Sequence, residues 1–130
     1  MMNQRLVHVS VLVEDYDTAI DFYTKILNFD LIADEPIDET KRWILVKPKG
    51  QGDCSILLAK ASGVKQANFI GNQTGGRVFL FLHTDNFDRD FQNLKTKKVK
   101  IVREPVDESY GRVAVFEDLY GNMWDLIEPK

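Results

Sequence analysis

The side chains that could do chemistry in this chain are few and far apart in sequence. Two histidines (His8 and His83), one cysteine (Cys54) and the carboxylates Asp125, Glu117 and Glu128 stand out, with Arg77 and Arg112 as cations that could meet an anionic ligand. Trp43 offers a large π-surface for stacking on a planar molecule, or for packing in a core or interface. His8 reads either as a ligand or polar contact in a pocket, or as a hydrogen-bonded structural histidine. Asp125 reads as a pocket contact or as a paired carboxylate near the C-terminus. His83 ends a strand beside a helix cap and reads as structural or solvent-facing, and for both arginines the alternative is a surface salt bridge. No base is matched to Cys54, which favours inert packing over nucleophilic work. The run Gly71-Asn72-Gln73-Thr74-Gly75-Gly76 lacks the Lys-Ser/Thr that completes a phosphate loop and precedes a strand, and no serine-nucleophile elbow occurs.

An internal repeat positions these residues. Val7, Val9, Val11 and Val13 alternate with Leu6, His8, Ser10 and Leu12, the period of a strand over 5–13 with one aliphatic face. Asp15 then caps a helix ending near Asn28, whose stripe is Tyr16, Ala19, Ile20, Tyr23, Ile26 and Leu27. Strands near 29–34, 41–47 and 55–59 follow, separated by a loop at 35–40 and a turn at 48–53. Shifted by 71 residues, the pattern recurs, with His8 falling on Phe79, Tyr16 on Phe87 and Asp17 on Asp88. The second copy reads as strand 77–83, helix 86–97, strand 99–103, a loop through Pro105, and strands 112–117 and 123–128. Val78, Leu80 and Leu82 repeat the aliphatic face, while Arg77, Phe79, Phe81 and His83 occupy the other. Residues 60–76 form a long connection that is either functional or holds a short helix. The fold class is α+β, a single domain over 1–130 built from two β-α-β-β-β modules, about 5–59 and 77–128. Two such sheets curled together would enclose a cavity suited to a ligand.

Bulk properties narrow the function classes. A net charge of −3 with no basic face speaks against nucleic-acid binding. Lys95, Lys97, Lys98 and Lys100 read as a solvated helix end. No apolar run approaches the ~20 residues of a membrane helix, so no membrane partner is expected. The N-terminus lacks the apolar stretch of a signal peptide, and one cysteine makes no internal disulfide, which together point to a cytoplasmic protein.

The paired modules, the opening Val7-His8-Val9-Ser10-Val11-Leu12-Val13-Glu14-Asp15 with Ala19-Ile20-Asp21-Phe22-Tyr23, and the closing Gly111-Arg112-Val113-Ala114-Val115-Phe116 with Asp118-Leu119-Tyr120-Gly121-Asn122-Met123-Trp124-Asp125-Leu126-Ile127-Glu128-Pro129 resemble the vicinal oxygen chelate superfamily. That group includes glyoxalase I, bleomycin-resistance proteins, fosfomycin-resistance enzymes and extradiol dioxygenases. The resemblance spans essentially the whole chain and implies cupped sheets, often completed across a homodimer. In enzymatic members it implies a divalent metal held by His, His/Glu and Glu ligands. Carried over, those positions are His8, Leu57 or a neighbour, Phe79 (or Val78 with a one-residue slip) and Asp125. The apolar members of this set cannot bind a cation, and about three protein ligands are needed. His83 lies about 13 Å along the strand from Phe79 at ~3.3 Å per residue, too far to fill the same coordination position. The expectation is therefore a small-molecule binder of the bleomycin-resistance type, with no cofactor. Its pocket is formed by His8, Trp43, Leu57, Arg77, Phe79, Phe81 and Asp125. The alternative is a glyoxalase- or dioxygenase-like enzyme whose divalent metal binds His8, Asp125 and unaligned residues; a purely structural homodimer is a third reading.

Overall fold

Partner availability, more than local propensity, sets where each strand begins. The computed structural model describes residues 1–130, in two units, Met1–Ala67 and Asn68–Lys130. In the first unit, β1 (His8–Val13) runs parallel to β4 (Ser55–Lys60), and β3 (Arg42–Lys47) runs antiparallel to both β4 and β2 (Asp30–Pro36), giving the order β1-β4-β3-β2. β1 was expected from residue 5 but starts at His8, because β4 starts only after the turn that ends at Asp53. One further bond, from the Ser55 amide to the Val7 carbonyl, continues the ladder, and Leu6 is left exposed.

The aliphatic alternation behaves as the strand period requires. Val11, Val13, Ile44, Val46, Ile56 and Leu58 are buried on the face that carries the helix. Asp15 caps α1 (Tyr16–Asp21) by accepting from the Thr18 amide at 2.8 Å. The expected α-helix to Asn28 changes character: Phe22–Ile26 is a π-helical turn, in which the Leu27 amide donates to the Phe22 carbonyl at 3.1 Å. The Thr24 hydroxyl donates to the Ile20 carbonyl at 2.7 Å, a back-bond that competes with the α pattern and bends helices. Tyr23 is fully buried, and Asn28, at φ 63, turns the chain into β2.

In the second unit, β5 (Leu80–His83) is parallel to β8 (Met123–Pro129), followed by antiparallel β7 (Gly111–Glu117) and β6 (Ile101–Glu108), in the order β5-β8-β7-β6. β5 was expected from 77. It starts at Leu80 because β8 emerges from the 118–122 turn only at Met123, although the Phe79 amide still donates to the Met123 carbonyl at 2.8 Å. The expected loop at Pro105 is instead the middle of β6. The strand tolerates proline because it lies at the sheet edge, and the register slips there: Arg103 faces Val115, and Val106 faces Val113. Helix α3 (Phe87–Thr96) is capped by Asn86, which accepts from the Arg89 amide at 3.1 Å; the Glu128 carboxylate accepts from the Phe87 amide at 2.6 Å. Within the 60–76 connection, Gly63–Ala67 forms the short helix α2.

Candidate functional site

Cross-strand partners share a face, so the registers sort every side chain. In the first unit the face opposite α1 carries the row Ser10–Leu57–Leu45, with His8 and Ser55 to one side and Trp43 and Ala59 to the other. His8 and Trp43 stand on strands about 9.6 Å apart at ~4.8 Å per strand, and their register rows are four residues, about 13 Å at ~3.3 Å per residue, apart along β4. Their rings nevertheless meet edge-to-face, with centroids 5.8 Å apart and planes at 73°. Both side chains must therefore lean toward each other across the Leu57 row. Trp43 keeps 36% of its surface exposed, and Leu57 is half-buried between Ser10 and Leu45. This patch is an apolar surface with one imidazole at its margin.

In the second unit the corresponding face carries the row Phe81–Asp125–Val115–Arg103 and, beside it, His83–Ile127–Val113–Val106. Phe81, on the edge strand β5, is 63% exposed. Asp125 is half-buried between Phe81 and Val115. Burial pushes its carboxyl above the ordinary carboxylate value, and the Arg103 guanidinium, one strand beyond Val115, pulls it part of the way back. Arg103 also pairs with Glu108 at 3.2 Å. The result is an aromatic ring, a carboxyl of reduced acidity and a guanidinium in line on one face.

The structure redistributes the residues singled out in the sequence. His8, Trp43 and Leu57 come together on the first face, and Phe81 and Asp125 on the second. Phe79 lies just outside β5, held to β8 by its backbone bond. Arg77 does not start a strand; it sits in the loop before β5, since no partner strand reaches it. Arg112 faces the helix rather than the open side. Its guanidinium lies 5.3 Å from the Phe87 ring centroid and pairs with Asp107 at 3.4 Å. Glu128 shares that helix face. Arg103, absent from the sequence reading, joins the site because β6 runs on through Pro105 and the bulge sets its register; the alternation of β6 alone carries no signal for that slip.

A family model described as the Glyoxalase/Bleomycin resistance protein/Dioxygenase superfamily matches residues 5–126. The chain belongs to this superfamily. An uncharacterized protein of Shewanella frigidimarina (strain NCIMB 400) is 54% identical over 128 residues, covering 98% of this chain and 95% of that one. The crystal structure of UcmS2 superposes with a TM-score of 0.84 at 32% identity, covering 98% of this chain and 99% of that one. The crystal structure of TnmS3, an antibiotic binding protein from Streptomyces sp. CB03234, superposes with a TM-score of 0.81 at 33% identity, covering 100% of this chain and 99% of that one.

The metal implied for enzymatic members of the superfamily can be tested against the donors present. Of the implied positions, His8 and Asp125 carry donor atoms, whereas Leu57 and Phe79 are hydrocarbon. No group of three or more His, Cys, Asp or Glu side chains is placed to hold a metal ion. That donor set does not fit the group, since a catalytic site takes about three protein ligands and an open position. No helix of the chain is long and apolar enough to cross a membrane.

Proposed function

We propose that this chain is a small-molecule binder that sequesters an organic ligand on its open sheet faces, without a catalytic metal. The observation that carries this reading is the pair of hydrocarbon side chains, Leu57 and Phe79, at two implied ligand positions, set beside the exposed aromatic surfaces of Trp43 and Phe81. Planar or apolar ligand surface would bury against these rings, each of which contributes a large contact area at small entropic cost. His8 and Asp125 would orient polar groups of the ligand, with Arg103 tuning the carboxyl. The relationship to TnmS3, which is described as an antibiotic binding protein, makes antibiotics the first ligand class to try. We also propose that the protein works as a homodimer in the cytoplasm, which sedimentation and fractionation would test.

The experiment is a melting-temperature screen of the purified protein against an antibiotic library, paired with metal analysis. A ligand present at 100 times its Kd should stabilise the fold by ~2.7 kcal/mol. Trp43→Ala and Phe81→Ala should each reduce that gain while leaving the ligand-free fold in place. One tightly held divalent ion per chain, lost together with turnover in His8→Ala, would overturn the reading in favour of a metal-dependent enzyme.

A further inference from the structure

Arg77 is left over by both the fold and the proposed ligand faces. In its unit Arg89, Arg103 and Arg112 each pair with a carboxylate, whereas Arg77 forms no ion pair. It lies in the 71–77 loop and lines a cavity of about 90 Å³ with Gly71, Glu117, Gly121, Asn122 and Met123. At ~30 Å³ of liquid volume per water, this is roughly the space of three waters.

The lining also carries an acidic residue, Glu117. Glu117 Oε2 pairs with Lys100 at 3.5 Å. A methyl group built on Gly121 would lie 3.7 Å from Glu117 Oε1 and 3.7 Å from the Gly71 carbonyl oxygen. Two acceptors therefore border the space beside Gly121, which its missing side chain leaves open. Arg77 and Glu117 line the same cavity but do not close it by pairing with each other. A cationic and an anionic residue that line one small space without pairing match a molecule carrying both opposite charges.

The turn side of the cavity is braced by its own backbone contacts. Gly71 is seated so closely on the β7–β8 turn that a Cβ there would fall 1.9 Å from the Tyr120 carbonyl oxygen. The turn is braced by the Asp118 carboxylate, which accepts from the amides of Tyr120 and Asn122 at 2.9 and 3.0 Å. A braced wall reduces the ordering that binding would otherwise require.

We propose that this cavity binds a small zwitterion of the α-amino-acid class. The carboxylate pairs with Arg77, and the ammonium donates to Glu117 Oε1 and the Gly71 carbonyl. Met123 and the glycine backbone leave space for no more than a short side chain.

The test is an NMR titration of the intact protein, following backbone amides with glycine as the probe and acetate and methylamine as half-ligands. Glycine should shift the Asn72, Gly76, Gly121 and Asn122 amides saturably, and each half-ligand should bind at least about tenfold more weakly, since each lacks one charge-assisted contact. Arg77→Met and Glu117→Gln should each weaken glycine binding by about tenfold or more. Lys100→Met, which removes the outer ion pair but spares Oε1, should leave glycine binding in place and so separates loss of contact from loss of structure. Acetate or methylamine binding as tightly as glycine, unchanged binding in both charge variants, or no saturable shift at these amides would overturn the proposal.

Discussion

Replacing Asp118 by alanine tests how the β7–β8 turn is held. The Asp118 side chain is buried and accepts three hydrogen bonds: from the Tyr120 amide at 2.9 Å, the Asn122 amide at 3.0 Å and Asn122 Nδ2 at 2.8 Å. The residue also donates its own amide to the Asn122 carbonyl at 2.8 Å, and that bond survives the substitution. Asn122 is only 3% exposed, so the donors it loses have no ready access to water. A hydrogen bond to a charged group is worth ~1.5–3 kcal/mol, and contributions within one network do not add fully. The Tyr120 donor is less buried and recovers part of its loss from solvent. The expected destabilisation is therefore about 3 kcal/mol, a fall in Tm of about 10 °C for a chain of this size. Asp118→Asn keeps one acceptor oxygen for the backbone amides, while its new amide group opposes Asn122 Nδ2 unless that side chain flips, so it should cost roughly half as much. Urea unfolding followed by far-UV circular dichroism and tryptophan fluorescence measures both variants. A loss below about 1 kcal/mol for alanine, or equal losses for alanine and asparagine, would refute the claim that the carboxylate braces this turn.

Three further outcomes are expected. Gly71→Ala should destabilise strongly, by more than ~1 kcal/mol, because φ is +76 and the added Cβ would collide with the Tyr120 carbonyl; thermal melting reads this, and wild-type stability would contradict it. Leu58→Ala empties a fully buried site between β4 and its helix, and should cost about 3 kcal/mol in urea titrations. Asp125, whose folded-state pKa is raised, binds more protons folded than unfolded, so its contribution to stability is full below the ordinary value of 3.8 and is lost as pH rises through the raised one. Asp125→Asn should therefore gain relative to the parent as pH rises through that window, and a pH-independent difference in Tm would show that the carboxyl is not shifted.

Much of the fold was legible from periodicity. The valines of β1 and the Leu80 and Leu82 pair lie on the helix-bearing faces because alternation is local geometry, and Asp15 caps α1 because a carboxylate one residue before a helix meets its free amides. The repeat at 71 residues likewise anticipated two copies of one four-stranded sheet. Strand starts were not legible, because a strand lasts only as long as its neighbour: Leu6, Arg77 and Phe79 have the right pattern but little or no partner beside them.

The same division runs through the site. His8 and Phe81 were placed on open faces by parity, Leu57 and Asp125 by the family resemblance, and the residue types at those positions already set the chemistry available there, an apolar surface with few charges. Only the tertiary structure decided which of them act together. Sheet geometry leans His8 and Trp43 into contact across an intervening strand, and the slip at Pro105 aligns Arg103 with Asp125. The late entry of β8 leaves Arg77 in a loop, where it lines a separate cavity with Glu117. These relations depend on register and on loop seating, which are set by packing between distant segments and leave no trace in the spacing of residues along the chain.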